Sequence, residues 1–329
     1  MTAQLKNISA EILNSHDPAL EVTSTRQLGI FYSELLNSLN ITADSTTFTT
    51  IEGGVALSPQ HAIDCLEDGV RTSRFLKGIF KAITEVLKTE KDRPLEVLYA
   101  GCGPLATLLV PLLPHFNSHQ LRITLLDIHE ESILSSRRII EHLELTNFQI
   151  DFHICDATKY AHPRKIDLLI TETMDKGLTR EPQISISEHL CQYLTPKGIL
   201  IPKEISLYSG SSVFAQLPNH KTHLLTKGTS DLIDYEHFLF SVNRNSRVSF
   251  EGFESKVIPR WKNIGSKPDL CIFTEIEVFD DVYLKAGDAL ITDPICVIFP
   301  KLKETIEYSL SYTTKPNPSW SVKQKNGTE

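Results

Sequence analysis

Two glutamates, Glu172 and Glu181, stand nine residues apart in the stretch TETMDKGLTRE, directly after the apolar run IDLLI. A carboxylate at each end of one loop has two readings. Either the pair is surface charge, or it converges on a planar cation, for which the fixed donor fork of a guanidinium is the natural partner. Further polar signals lie upstream. Gly101-Cys102-Gly103 closes the run LEVLYA, an arrangement that lets a ligand approach the backbone at a sheet's carboxyl edge. Ala106 stands where a dinucleotide-binding loop has its third glycine, so the turn by itself has an ordinary reading as well. Asp127 ends RITLLD, about where an acidic residue accepts both hydrogens of a ribose diol. Asp156, after HIC, is either within reach of the same ligand's base or a plain strand terminator.

These residues need elements to position them. From Pro94 to about Pro202, short apolar runs alternate with helical patterns, among them PLATLLVPLLPHF, EESILSSRRIIEHLEL and SISEHLCQYL. Strands separated by helices predict an α/β fold, a doubly wound parallel sheet with helices on both faces. Gly101, Asp127, Asp156 and Glu172 then fall at successive strand carboxyl ends, where a nucleoside-bearing ligand lies in an open parallel sheet. After Pro202 the texture changes to short β-rich runs such as DLCIFTEIEVF and TIEYSLSYTT, which predict an antiparallel β-barrel-like domain. The expected division is residues 1–55 as a helical start ending in the Thr-rich linker STTFTTIEGG, residues 56–202 as the ligand-binding domain, and residues 203–329 as the antiparallel domain. The more helical composition at about residues 217–240 reads as an inserted arm.

Composition narrows the function. The 329 residues, 41% apolar and 22% charged, are those of a globular protein large enough for two cores. A net charge of −8 and a pI near 5.9, with no Lys/Arg cluster, exclude a protein that holds nucleic acid by neutralising phosphates and suit a cationic or small polar substrate. No basic-then-apolar leader and no apolar window of about 18 residues occur, so no membrane span is expected and the reading is cytoplasmic. The six cysteines lie apart without a C-x-x-C spacing or an adjacent histidine, so neither zinc nor a redox pair is expected.

VLYAGCGPLATLL, LLDIH, CDATKY and LLITETMDKGLTREPQ resemble, in this order, the motifs of class I S-adenosylmethionine-dependent methyltransferases, and specifically of the protein arginine methyltransferase family. Its double-glutamate loop has the same spacing as Glu172 and Glu181. CLEDGVRTSRFLKGI is similar to the family's amino-terminal helix signature, whose arginine, here Arg71, meets the cofactor's carboxylate. The resemblance covers roughly residues 60 to 325. It implies S-adenosyl-L-methionine as cofactor, held by Arg71, Gly101, Gly103, Asp127 and Asp156, and a homodimer whose arm embraces the partner's cofactor domain. Three departures stand out. Tyr99 replaces an acidic residue at the first strand's end, the family's Thr-His-Trp loop reads Thr292-Asp293-Pro294, and no paired aromatics precede the Arg-Thr helix.

The resemblance implies methyl transfer from a sulfonium by in-line displacement, with Glu172 orienting a guanidinium nitrogen and Glu181 as its charge partner; mutual repulsion of the pair would raise one pKa. Met174 and Asp293 are placed on the substrate side. Asp293 reads either as a grip on a free α-amino group or as a turn residue before Pro294. The expected substrate is therefore the guanidino or amino group of a small molecule such as free arginine. The alternatives are a protein arginine, O-methylation of a small metabolite, and a non-catalytic relative.

Overall fold

The computed structural model describes residues 1–42, 46–89, 92–212, 234–260, 269–298 and 306–325. The chain opens with two helices, α1 (Thr2–Asn14) and α2 (Pro18–Ser38), followed by a small hairpin of β1 (Thr49–Ile51) and β2 (Gly54–Ala56). Helices α3 (Pro59–Asp64) and α4 (Gly69–Thr89) then lead into five strands, β3 (Leu95–Ala100), β4 (Leu121–Asp127), β5 (Gln149–Ile154), β6 (Ile166–Thr171) and β7 (Leu194–Ile201), with α5 (Glu130–His142) before β5 and α6 (Gln183–Leu190) before β7. These strands form one parallel sheet of order β5-β4-β3-β6-β7. The order reverses between β3 and β6, the switch point at which doubly wound sheets bind ligands.

Burial on both faces explains why the strands read as continuous apolar runs. Along β3, Val97 and Tyr99 join the core formed with α1, α2, α4 and α5, while Leu98 and Ala100 join a second core under Ile186 and Leu190 of α6. Helix α4 offers Phe75, Leu76, Ile79, Ala82 and Ile83 to the first core, a one-sided stripe at helical spacing. One expected helix does not form. After Gly103 the chain makes turns and then a 3-10 stretch over Val110–His115. The reason is proline: Pro104, Pro111 and Pro114 each remove an N–H donor, and Pro114 lies inside that stretch.

Beyond β7, the β-rich region forms two antiparallel sheets. One combines β8 (Glu204–Ser212), β9 (Asp234–Asn243), β12 (Asp269–Phe279), β13 (Val282–Leu284) and β14 (Ile295–Ile298), and the other β10 (Phe253–Glu254), β11 (Ile258–Arg260), β15 (Ile306–Thr313) and β16 (Ser319–Lys325). Phe240 of the first sheet packs on Phe253, Tyr312 and Trp320 of the second, with centroids 4.9–5.8 Å away, so an aromatic cluster joins them. Most of the expected arm, residues 217–233, lies outside the described residues, and 234–240 belong to β9, paired with β8. The segment expected to be a linker, residues 45–54, is also different: from Thr49 on it belongs to the β1–β2 hairpin, in register Thr49 with Ala56.

A buried charge cluster fastens the amino-terminal helices. Asp17 caps α2 by accepting from the Ala19 N–H at 2.7 Å. Four residues on, Glu21, 1% exposed, is held by Arg74 at 2.9 Å and Lys77 at 2.5 Å from α4. Replacing Glu21 by Ala strands two cations at this contact, so we predict a loss of about 2–4 kcal/mol in a urea melt at neutral pH, discounted for the partial exposure of Arg74.

Candidate active site

The loop after β6 carries both glutamates, and its backbone is unusual. Gly177, Leu178 and Arg180 all have positive φ, 60°, 55° and 65°. For Leu and Arg this region is disfavoured, by roughly 1–2 kcal/mol each, and it persists only where surroundings enforce it. The surroundings come mainly from the antiparallel sheets. The Gly177 N–H donates to Thr274 Oγ1 at 3.1 Å, and its carbonyl accepts from Trp320 Nε1–H at 2.8 Å. Tyr312 OH donates to the Leu178 carbonyl at 2.6 Å, and the Arg180 N–H to the Pro318 carbonyl at 3.1 Å. Glycine is required at 177, because a Cβ would sit 2.4 Å from Ile295 Cδ1.

The base of the loop is closed by Gln183, the second residue after Glu181. Its Oε1 accepts from the Thr173 N–H at 2.8 Å, and its Nε2 donates to the Thr171 carbonyl at 3.2 Å and Ser187 Oγ at 3.0 Å. One buried amide thus ties the end of β6 to the start of α6. Both glutamates face a cavity of about 310 Å³ at the carboxyl ends of β3, β4 and β6. Its walls include Arg71, Gly101, Gly103, Asp127 and Met174, all anticipated from the sequence.

Arg71 Nη2 pairs with Glu172 Oε2, and the two side chains are 12% and 3% exposed. Arg71 Nη1 donates to the Cys65 carbonyl at 3.3 Å. Two atoms of this pair remain unsatisfied though buried, Arg71 Nε and Glu172 Oε1. Buried polar atoms of native proteins nearly always have a partner, so an orphan donor and an orphan acceptor on two paired residues that line one cavity mark bonding capacity open to ligand groups. Glu181 behaves differently. Burial, and then the nearby Asp175, push its carboxyl up to about 8, against the pull of Arg71 and Arg180. The sequence reading attributed such a rise to repulsion between the two glutamates; desolvation leads here, and Glu172 is neutralised by Arg71.

At the other end of the cavity, Asp127 accepts from the Gly103 N–H through Oδ2 at 2.8 Å and from the His129 N–H through Oδ1 at 2.9 Å. Oδ1 also meets His129 Nδ1 at 3.3 Å, so Oδ2 is the oxygen with one partner, and the carboxylate fixes the glycine turn while that oxygen can still accept from a ligand. A Cβ at Gly101 would meet Thr173 Cγ2 at 2.4 Å, which ties this turn to the residue after Glu172.

Two expected residues are elsewhere. Asp156 does not line the cavity: its Oδ1 accepts from the Thr158 N–H and hydroxyl, and its Oδ2 pairs with Lys159 at 3.1 Å, while neighbours Cys155 and Ala157 do reach the wall. Asp293 is buried at 4% exposure and also stays out of the lining, which Leu290 and Ile291 provide instead. Sequence reasoning missed others. Phe48 lines the cavity and stacks near His61 at 4.8 Å, an aromatic that precedes the Arg-Thr helix after all. His129 is a cavity residue bonded to Thr49 Oγ1 at 3.0 Å, and Trp320 serves as a loop donor rather than as packing alone. Among the described residues no His, Cys, Asp and Glu group could hold a metal ion, and no helix is long and apolar enough to cross a membrane.

A carboxyl whose folded pKa lies above its unfolded value stabilises the fold below the unfolded pKa and loses that contribution as pH rises through the folded one. For Glu181 the window runs from the ordinary glutamate value of 4.5 to about 8. We predict that Glu181→Gln raises the melting temperature, little at pH 5 and more at pH 8.5, in scanning calorimetry across that range.

No protein-family model matches the sequence, and no curated protein matches it. Solved structures do. Protein arginine methyltransferase 10 of Arabidopsis thaliana superposes with a TM-score of 0.56 at 11% identity, over 80% of this chain and 97% of that one. The PRMT1 enzyme–prozyme heterotetrameric complex of Trypanosoma brucei, with AdoHcy, does so with a TM-score of 0.50 at 12% identity, over 80% and 96%. Identities this low speak to architecture, and by that measure the chain has the fold of the protein arginine methyltransferases.

Proposed function

We propose that this protein is an S-adenosyl-L-methionine-dependent N-methyltransferase that acts on a guanidinium, and that the guanidinium is that of a protein arginine. The observation that carries the reading is that two paired residues lining one cavity each keep a buried atom without a partner, the donor Arg71 Nε and the acceptor Glu172 Oε1. The donor suits the carboxylate of the cofactor. The acceptor suits an N–H of the substrate. Asp127 would take the ribose diol, and Gly101 and Gly103 let the cofactor approach the backbone. When bound, the cofactor supplies an electrophilic methyl on a sulfonium.

What the chain's own groups do follows from their states. Glu172, paired with Arg71, accepts from one guanidinium nitrogen and turns another toward the methyl. Glu181, largely protonated near neutral pH, gives up its proton as the cation arrives, so that the two carboxylates draw positive charge away from the attacking nitrogen. Burial of the loop keeps water from competing.

The sequence favoured a small molecule because Tyr99, the Thr292-Asp293-Pro294 loop and the missing paired aromatics depart from the family's pattern around the substrate mouth, with Asp293 as an additional grip on a free α-amino group. The grip loses its support, since Asp293 does not line the cavity. The two solved structures described above are, by name, protein arginine methyltransferases, which favours the protein substrate. A homodimer is part of the proposal; the trypanosome protein's heterotetramer supports association in this fold.

The test is methyl transfer from labelled S-adenosylmethionine to an Arg-rich peptide and, separately, to free arginine. We predict label in the peptide, a fall of about 100-fold or more with Glu172→Gln as for loss of an electrostatic stabiliser, cofactor affinity retained, and a dimer in light scattering. Label only in free arginine would return the small-molecule reading; no transfer to any guanidine would end the proposal.

A further inference from the structure

The β1–β2 hairpin, expected only as a linker, touches both halves of the site. Its tip lies on the loop of Glu181. A Cβ at Gly54 would stand 2.7 Å from the Arg180 carbonyl oxygen, 2.7 Å from Pro182 N and 2.8 Å from the Glu181 carbonyl carbon. All three are backbone atoms, which cannot swing aside. The Val55 N–H donates to that same Arg180 carbonyl at 2.8 Å. At Gly53 a Cβ would lie 2.2 Å from Ser185 Oγ, so the tip is also pressed against α6. The base of the hairpin lies at the opposite end: Thr49 Oγ1 bonds His129 Nε2 at 3.0 Å, and His129 in turn bonds Asp127. Just before it, the Arg180 guanidinium sits over the Phe48 ring, 5.7 Å from its centroid. Phe48, Ile51, Val55 and Ala56 all line the cavity.

The other holds described above on the second half of the loop, residues 177–183, come from the antiparallel sheets and Gln183, and Arg71 holds its start at Glu172. From the cavity side the peptide at Arg180–Glu181 is held by the hairpin. We propose that the hairpin is a strap that sets the position and burial of Glu181, with Gly54 and Val55 acting on its peptide and Thr49 anchoring the strap to the Asp127–His129 side. These three are positioning residues; none touches the reacting atoms. The inference rests on the methyltransferase reading for its kinetic consequence, but its structural content stands apart from that reading.

Burial is the leading cause of the raised Glu181 pKa, so the strap's removal has a signature that simple damage lacks. The charged groups around Glu181 are Asp175 and Arg180 on its own loop, Glu172 at the loop's start and Arg71 on α4; the strap's Glu52 points to Lys315 at 3.9 Å on the outside. None of these is altered by changing Gly54 or Thr49.

The experiment compares wild type with Gly54→Ala and Thr49→Val. Glutamate side-chain carboxyls are titrated by carbon NMR, with Glu181→Gln to assign the signal, and kcat, KM and S-adenosylhomocysteine affinity are measured on the same samples. For Gly54→Ala we expect the Glu181 midpoint to fall from about 8 toward the ordinary glutamate value. We also expect kcat to fall by about 100-fold, the scale of a displacement near 1 Å, with S-adenosylhomocysteine affinity kept. Thr49→Val, which removes one hydroxyl, should move midpoint and kcat the same way by less, and it carries the test if Gly54→Ala does not fold. An unchanged midpoint in the folded variants would overturn the strap. Wild type without any methyl transfer would overturn the function proposed above, while the NMR midpoints would still decide the strap.

Discussion

The site depends on a strained loop held from outside itself. Between Glu172 and Glu181 the chain passes through three left-handed residues, two of them neither glycine nor asparagine, and left alone it would relax. It does not, because four hydrogen bonds from β12, β15, the turn at Pro318 and β16 fix the peptides of Gly177, Leu178 and Arg180. The antiparallel sheets are therefore the mould in which the two glutamates of the parallel-sheet domain are set.

Within that mould a single arginine gives the two glutamates different states. Arg71 pairs with Glu172, whereas Glu181, half-buried and beside Asp175, has its carboxyl pushed up to about 8. Two chemically identical side chains on one loop thereby meet different surroundings, and under the proposed function they take separate tasks. Asp68 extends the arrangement: it accepts from the Arg71 N–H at 3.2 Å and from the Leu290 N–H at 2.8 Å, tying the start of α4 to the segment from which Leu290 and Ile291 enter the cavity wall.

Much of this was legible in the sequence, and the reasons differ by residue. Residues that end strands were readable because a parallel sheet buried on both faces leaves continuous apolar runs, and Gly101, Asp127 and Glu172 stand just where those runs stop. The 3-10 stretch after Gly103 was misread as an α-helix because its apolar periodicity outweighed three prolines. Asp156 and Asp293 failed for another reason: position at a strand end or in a matching segment does not say which way a carboxylate turns, and Asp156 turns to Thr158 and Lys159. Phe48, Gln183 and Trp320 were hidden because their contributions are long-range, a hairpin folded back over the sheet, an amide spanning a loop's base and an indole reaching back from near the end of the chain. No local pattern encodes such contacts.

The central claim is that the double-glutamate loop binds a guanidinium with release of the proton held by Glu181. Calorimetric titration of an arginine peptide into the protein saturated with S-adenosylhomocysteine, near pH 7 in two buffers of different ionisation enthalpy, counts that proton. The account predicts a release approaching one proton per peptide bound, abolished by Glu181→Gln. Binding with no proton released, or with the same release from the variant, would contradict it.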